Sequence, residues 1–304
     1  MVSTTDKQVP LGKKIRAHLE LADPVTWFSP AIITICGALA AGAAFDWTSG
    51  VAWAWIMLGA LMTGPLGTGF SQSINDYYDH ELDAINDPKR PIPAGLVTLG
   101  EARINWIFLG TATFLVSLVF GNPWIVFLAV LGLFISVIYS KPPIKLKKNF
   151  WFGPASVGLG YVTMSWLAGH LIFASLTWQS FVVAVINGTI AAGMLFLNDI
   201  KSVEGDRRLG LKSLPVVIGL RPTLIIAYTT IGISQVLLVV LAFIWGYYWA
   251  VGFFLLSIIA PIYSQVQLYQ DPSQRNYIRY LVASNPFMVL TQVVSAFIVG
   301  GYFR

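Results

Sequence analysis

The sequence has 304 residues, of which 56% are hydrophobic and only 11% are charged, and its mean hydropathy is +0.70. Such a chain has too few polar side chains to cover a water-soluble globule of this size, which excludes an ordinary soluble protein and predicts one embedded in a lipid bilayer. The formal net charge of +5 comes from loops that gather at one membrane face, so nucleic acid is not expected as a partner. The single cysteine, Cys36, excludes an internal disulfide.

Nine apolar stretches are predicted to cross the bilayer as helices, because each is long enough to span its hydrocarbon layer of about 30 Å. In chain order they are 27–45, 51–74, 104–120, 123–139, 153–173, 177–197, 222–244, 247–266 and 280–302. They predict an all-α, polytopic membrane protein with one domain over residues 1–304, whose first 26 residues form a cytoplasmic segment. The "KKIRAHLELA" part of that segment is expected to lie on the membrane surface as an amphipathic helix.

The charged residues test this segmentation independently. Every Lys and Arg except Arg304 either precedes the first predicted span or follows an even-numbered one, and of the acidic residues only Asp46 falls in an opposite connection. Because an excess of Lys and Arg marks the cytoplasmic face, the N-terminus is expected inside and the C-terminus outside. The long, charged loops after spans two, four and six lie on that inner face, so we expect the functional site there.

The end of the second span carries an unusual run of acidic residues, in "NDYYDHELDAINDPKRPIPAG" at 75–95. If the run is helical, Asn75, Asp76, Asp79 and Asp83 share one face, because an α-helix turns by about 100° per residue. Like charges at this spacing destabilise a helix, so a positive partner is expected. Oxygen ligands without His or Cys suit a hard cation such as Mg²⁺. The alternative is a solvated helix end that only terminates the span.

A second stretch, "NDIKSVEGDRRLGLKSLPVVIG" at 198–219, repeats the pattern. Asn198 and Asp206 have the same spacing as Asn75 and Asp83, and in both stretches basic residues, a proline and a glycine follow. Two acidic helix ends on one membrane face predict Mg²⁺ ions bridged by a diphosphate, whose outer oxygens the basic side chains would neutralise.

Together with the "RPIPAG" turn and "YSKPPIKLK" at 139–147, these stretches resemble the signatures of the UbiA superfamily of intramembrane prenyltransferases, and the resemblance spans essentially the whole chain. The motifs "DPVTWF" at 23–28, "SQSIND" at 71–76 and "KSVEGDRRLGLKSLP" at 201–215 are similar to chlorophyll and bacteriochlorophyll synthases in particular, and "SQSIND" favours the bacterial pigment. The chain departs from that subfamily at four positions: Tyr77 replaces Trp, His80 replaces Arg, Lys141 replaces Ala and Ala94 replaces Ser.

The resemblance implies a UbiA-type prenyltransferase fold of nine helices, in which both acidic motifs face one cavity and bind Mg²⁺. The expected metal ligands are Asn75, Asp76, Asp79, Asp83, Asp199 and Asp206, with Asp76 equally suited to support the helix end. The expected catalytic residues are Asp79, Asp83, Asp199 and Asp206. The expected diphosphate contacts are Arg90, Lys145, Lys201, Lys212 and Tyr139. The substrate-pocket candidates are Tyr77, His80, Trp27 and Trp166.

The same resemblance implies the reaction. An allylic diphosphate would ionise in a dry pocket, and the C17 propionate of (bacterio)chlorophyllide a would capture the cation as a geranylgeranyl or phytyl ester, in the last stage of (bacterio)chlorophyll biosynthesis. That carboxylate is already ionised near neutral pH, so no general base is required. The implied partners are the bilayer, an isoprenoid diphosphate, (bacterio)chlorophyllide, and pigment-biosynthesis or photosystem-assembly proteins, in a plasma or photosynthetic membrane.

Three alternatives remain at this point. A UbiA-type prenyltransferase of quinone or haem biosynthesis would carry the same motifs. A cation-coupled transporter would place ionisable residues near the bilayer midplane, whereas the predicted spans are nearly free of charge at their centres. A pigment-binding scaffold gives no reason for two Asn-Asp motifs.

Overall fold

The computed structural model describes residues 10–198, 200, 203, 207 and 212–304. Within these ranges the chain is helical and contains no β-strand, which confirms the predicted all-α class. The α-helices of this part of the chain are α1 (Leu11–Leu21), α2 (Phe28–Leu39), α3 (Gly50–Leu61), α4 (Gly69–Asn86), α5 (Leu99–Val119), α6 (Pro123–Ser140), α7 (Phe152–Val157), α8 (Ser165–Leu171), α9 (Trp178–Asn198), α10 (Leu214–Ile218), α11 (Leu220–Ile244), α12 (Tyr248–Ile259), α13 (Ile262–Gln270) and α14 (Gln274–Gly300).

Seven helical segments in the described ranges are long and apolar enough to cross a membrane, and the bent pair Leu11–Leu21 and Pro24–Leu39 would make an eighth. Nine spans are predicted, but length and hydropathy identify at most eight in the described residues. The missing span, 153–173, is mostly helical, but its mean hydropathy is lowered by its glycines and by Ser156, Tyr161, Thr163, Ser165 and His170. All seven residues of α8 are buried inside the bundle, and a helix that lipid does not touch has no need of an apolar surface. Hydropathy therefore identifies helices that face lipid and misses a span that the other helices surround.

In the described part of the chain, two π-helical segments interrupt predicted membrane spans. Met62–Thr68 joins α3 to α4 and contains Pro65, while Gly158–Met164 joins α7 to α8. Pro65 cannot donate a backbone hydrogen bond, which accounts for the local change of helical register. Residues of both segments line the large cavity of the protein, in keeping with the frequent occurrence of π-segments at functional sites.

Helices α2 and α8 pack in close backbone contact through two glycines. A Cβ atom at Gly37 would collide with the carbonyl oxygen of Trp166, and one at Gly169 would collide with that of Thr34. Membrane helices approach this closely only where small residues lie at the interface, because van der Waals packing drives their association. The α2–α8 contact forms the back wall of the cavity, to which Ile33 and Ala168 contribute.

The end of the bundle farthest from the acidic motif of α4, here called the distal end, is closed by aromatic side chains. Phe45 makes edge-to-face contacts with Trp47, Trp53 and Phe173 at centroid distances of 5.1–5.3 Å. The hydroxyl of Tyr302, after the last helix, donates a hydrogen bond of 3.1 Å to the carbonyl oxygen of Gly42. The first and last membrane segments are thereby joined.

Helix α1 has two different faces. Ala17 and Leu21 are buried in a small cluster with Val97 and Ala102, whereas Leu11, Ile15 and Leu19 form an exposed apolar stripe. The predicted amphipathic helix is present, and its position on the membrane surface stays a prediction.

Candidate active site

The acidic run at the end of α4 is helical, as its spacing predicts. Asp76 and Asp79 are buried, with 8% and 9% of their surface exposed, and Asn75 lines the cavity beside them. Burying carboxylates is costly unless each is paired with positive charge and hydrogen-bonded. The neighbouring loops supply that charge.

The loop after α6 brings two lysines onto Asp79. The Nζ atom of Lys145 donates to Oδ1 of Asp79 at 2.9 Å, and Lys147 donates both to Oδ2 of Asp79 and to Oδ1 of Asn75. The hydroxyl of Ser140 also donates to Oδ1 of Asn75, at 3.3 Å. Burial lowers the pKa of the Lys147 ammonium, although Asp79 acts in the opposite direction.

Arg90 pairs with the other two carboxylates of the run. Its Nη1 atom donates to Asp76 and, at 3.4 Å, to Oδ2 of Asp83. Burial disfavours the charged guanidinium, but the carboxylates of Asp76 and Asp83 outweigh this effect and raise the pKa of Arg90. In the turn that follows, the carbonyl oxygen of Pro91 accepts hydrogen bonds from the backbone amides of Leu96 and Val97.

The donor set of this site fits the predicted metal. Asn75 and Asp79 both bind the ammonium group of Lys147, so two oxygen donors converge on one cationic group, and side-chain oxygens are what Mg²⁺ prefers. In the described part of the chain no three His, Cys, Asp or Glu side chains group as a metal site. The predicted ligands Asp199 and Asp206 lie outside the described residues.

The second motif is described only in part, at residues 198, 200, 203, 207 and 212–219. Asn198 lines the cavity and accepts a hydrogen bond from the hydroxyl of Tyr277. Lys212 is exposed. Lys201, like Asp199 and Asp206, lies outside the described residues.

A cavity of about 850 Å³ extends into the bundle from Asn75, whereas Asp76, Asp79 and Asp83 do not line it. Asn75, Tyr139 and Asn198 line it near the two motifs, and Gln72 donates a 3.3 Å hydrogen bond to the hydroxyl of Tyr161 along one wall. Most of the remaining wall is apolar and includes Ile32, Ile33, Met62, Leu128, Leu133, Met164, Ala168, Ile190, Met194, Leu281, Met288 and Val289. The cavity therefore joins a polar, uncharged end, beside the ion pairs of the motif, to a long hydrophobic body.

The four substrate-pocket candidates do not line this cavity. Tyr77 accepts a 2.7 Å hydrogen bond from Arg103, and a ring nitrogen of His80 lies 2.8 Å from the carbonyl oxygen of Tyr77. Trp27 donates to the carbonyl oxygen of Ala22 at 2.6 Å. Trp166 is fully buried and donates to Oγ of Ser180 at 2.9 Å. Each of these side chains has a partner within the protein.

Sequence reasoning missed Lys147, which it treated only as a charge that marks the cytoplasmic face. One signal was available, because residues 140–152 contain four lysines and no acidic residue. A basic loop without an acid of its own must find its counter-charges elsewhere. Gln292, which also lines the cavity, was missed because it stands alone among apolar residues.

Comparison with known proteins agrees with this geometry. The UbiA prenyltransferase family matches residues 29–285. The chain is 36% identical over 259 residues to the bacteriochlorophyll synthase 34 kDa chain of Chloroflexus aurantiacus, covering 84% of this chain and 81% of that protein. It is 37% identical over 298 residues to the chloroplastic chlorophyll synthase of Arabidopsis thaliana, covering 93% of this chain and 74% of that protein.

The fold also resembles a solved structure, that of a UbiA homologue from Archaeoglobus fulgidus bound to GPP and Mg²⁺. The TM-score is 0.65 at 19% identity, covering 94% of this chain and 99% of that chain. This likeness concerns the fold. The family match over most of the chain, with relatives above 30% identity, shows that this protein belongs to the UbiA prenyltransferase family.

Proposed function

We propose that this protein is a (bacterio)chlorophyll synthase, which esterifies the C17 propionate of (bacterio)chlorophyllide a with a geranylgeranyl or phytyl group and releases diphosphate. The observation that carries the proposal is the cavity, whose polar end at Asn75, Tyr139 and Asn198 continues into an apolar body. Such a cavity suits a substrate with a charged head and a hydrocarbon chain. Similarity to proteins named bacteriochlorophyll and chlorophyll synthases indicates the acceptor.

The charged residues have distinct proposed roles. Asn75, Asp76, Asp79 and Asp83 would hold Mg²⁺ together with Asp199 and Asp206, and the bound metal would neutralise the diphosphate and favour its departure. Arg90, Lys145 and Lys147 stand beside those carboxylates and would bind the outer diphosphate oxygens. Tyr139, Lys201 and Lys212 are proposed as further diphosphate contacts.

The reaction itself needs little further help from the protein. The bond between C1 of the prenyl group and the diphosphate oxygen breaks, and its electron pair leaves with the diphosphate. A propionate oxygen of the acceptor then donates its electron pair to C1 and forms the ester. No proton has to be removed, since the carboxylate is already ionised. The apolar wall protects the allylic cation from water.

The proposed setting follows from the charge distribution. The acidic motifs and the basic loops would face the cytoplasm, with the C-terminus outside, in a plasma or photosynthetic membrane. Pigment-biosynthesis or photosystem-assembly proteins are proposed as partners, because the pigment product is poorly soluble and has to be passed on.

The test is an esterification assay with membranes that contain the full chain. The membranes are incubated with Mg²⁺, geranylgeranyl or phytyl diphosphate, and each chlorophyllide in turn, and esterified pigment is measured. We expect ester formation that stops when Mg²⁺ is chelated and resumes when it is restored. Turnover of 4-hydroxybenzoate with no ester from any chlorophyllide would instead identify a quinone-pathway enzyme.

A further inference from the structure

Gln292 is a feature of the cavity that neither the acidic motif nor a hydrocarbon chain explains. It lies on α14, lines the cavity and is only 7% exposed. Among the described residues, its Oε1 atom has no hydrogen-bond partner. A buried polar atom without a partner lowers stability, because it has lost its hydrogen bonds to water. Native proteins rarely leave one without a reason.

Other buried polar atoms nearby have a simpler explanation. Thr291 and Ser295 on α14 and Asn187 on α9 also carry side-chain atoms without a partner in the described structure. None of these three residues lines the cavity. Small polar side chains are common where membrane helices pack together. Gln292 differs from them because a ligand in the cavity can reach it.

The position of Gln292 indicates which part of a ligand it meets. On the same helix, the hydroxyl of Tyr277 donates to Asn198, which marks the motif end of the cavity. Gln292 follows Tyr277 by 15 residues, and at 1.5 Å per residue this places it roughly 22 Å deeper. A prenyl diphosphate carries its polar atoms only at the diphosphate, so its chain offers nothing to an amide at that depth.

The acceptor does offer a partner there. A chlorophyllide is a flat ring with its reacting propionate at one edge, and when that edge meets the prenyl C1 at the motif end, the opposite edge extends into the cavity. The C3 substituent is on the pyrrole ring next to the one that carries the propionate, in the half of the macrocycle that points away from the propionate. In bacteriochlorophyllide a it is an acetyl group, whose oxygen accepts a hydrogen bond, whereas in chlorophyllide a it is a vinyl group, which cannot.

We propose that Gln292 is a specificity-determining residue whose side-chain N–H donates to the C3 acetyl oxygen of bacteriochlorophyllide a. The inference rests on the proposed function and names its acceptor. A carboxamide can present either its oxygen or its nitrogen by rotating about its terminal bond, so the same side chain supplies the donor. A site built to hydrogen-bond a substrate group discriminates against an analogue that lacks it, because the polar partner is left unpaired.

The experiment compares two acceptors and three proteins. The kcat/KM values for bacteriochlorophyllide a and chlorophyllide a are measured with Mg²⁺ and geranylgeranyl diphosphate for the wild type, Gln292→Met and Thr291→Val. Methionine keeps an unbranched side chain without the amide, and Thr291→Val removes a neighbouring unpartnered hydroxyl that does not line the cavity. We expect the wild type to prefer bacteriochlorophyllide a at least about tenfold, through the KM of the acceptor.

In Gln292→Met this preference should fall to within about twofold, while the KM for geranylgeranyl diphosphate and the thermal midpoint of unfolding are maintained, since the Oε1 atom of the amide has no partner in the free protein. Thr291→Val should keep the wild-type preference. An unchanged preference in Gln292→Met, an equal loss with both acceptors, or a wild type that favours chlorophyllide a would each overturn the inference.

Two further measurements cover the cases in which the variant does not fold or the wild type is inactive. If Gln292→Met does not fold, the wild type is compared on bacteriochlorophyllide a and its 3-vinyl analogue, which differ only at C3, and equal kcat/KM values refute the inference. Failure of the wild type to esterify any acceptor refutes the proposed function instead. Esterification of both acceptors at equal rates leaves the proposed function intact and removes only the role of Gln292.

Discussion

The two ends of the helical bundle are held together in opposite ways. At the motif end, buried carboxylates of α4 are paired with cations from two separate loops, through Arg90, Lys145 and Lys147. At the distal end, aromatic rings and a backbone-directed hydrogen bond from Tyr302 close the bundle without charge. Buried ion pairs contribute little net stability compared with well-packed apolar groups. The comparison indicates that the motif end is organised for binding and chemistry, and the packed helices beyond it for stability.

The sharpest test of this division is Asp79→Asn. The change removes the carboxylate that binds both Lys145 and Lys147 and that is proposed to bind Mg²⁺. We expect kcat/KM to fall by about 1,000-fold, because the site loses charge where the leaving group is stabilised. The protein should still fold, with a lowered unfolding temperature, because Lys145 and Lys147 lose their shared counter-charge. Asp87→Asn, at an exposed carboxylate in the following turn, is the matched control and should retain activity within about twofold. Full activity in both Asp79→Asn and Asp206→Asn would refute the paired-metal hypothesis.

Lys147→Met tests whether the contact that sequence reasoning missed matters for the reaction. Lys147 binds Asn75 and Asp79 and is largely buried, whereas its neighbour Lys148 is exposed. We expect Lys147→Met to lower kcat/KM by about 100-fold, with the KM for the prenyl diphosphate raised, because one charge-assisted partner of the diphosphate is lost. Lys148→Met should have little effect. Equal activity in the two variants would show that Lys147 serves only as a counter-charge.

Gly169→Ala tests the other half of the comparison. Its new Cβ atom would collide with the carbonyl oxygen of Thr34, so α2 and α8 would have to separate. Overpacking of this kind typically lowers the free energy of unfolding by about 1–3 kcal/mol. The yield of folded protein and its thermal midpoint should fall.

Gly232→Ala on α11 is the control for this packing effect. Nothing lies within 4 Å of a Cβ atom at Gly232, so the substitution meets open space. It should be neutral or stabilise the helix by up to about 1 kcal/mol. A destabilisation equal to that of Gly169→Ala would mean that glycine at these positions is not required for close helix packing.

The sequence predicted the local part of the site well and the long-range part poorly. The shared face of Asn75, Asp79 and Asp83 depends only on helical geometry, which spacing reveals. The pairing of Lys147 with Asp79 depends on a loop folding back over 68 residues of chain, and nothing in the local sequence specifies that path. The span 153–173 is predicted as an apolar stretch long enough to cross the bilayer, but the complete burial of α8 inside the bundle becomes visible only in the structure.

Trp166→Phe is expected to have the smallest effect on activity. The variant tests whether Trp166 serves helix packing or pigment binding. Trp166 is fully buried and its indole N–H donates to Ser180, whose hydroxyl also pairs with a ring nitrogen of His170 at 3.1 Å. Phenylalanine keeps an aromatic side chain, although a smaller one, but loses this hydrogen bond. The loss should lower the free energy of unfolding by about 1 kcal/mol. Because Trp166 does not line the cavity, the KM for the acceptor should not change. A raised acceptor KM at unchanged stability would instead assign Trp166 to the pigment pocket, and the apolar body of the bundle would then share in substrate recognition as well as in stability.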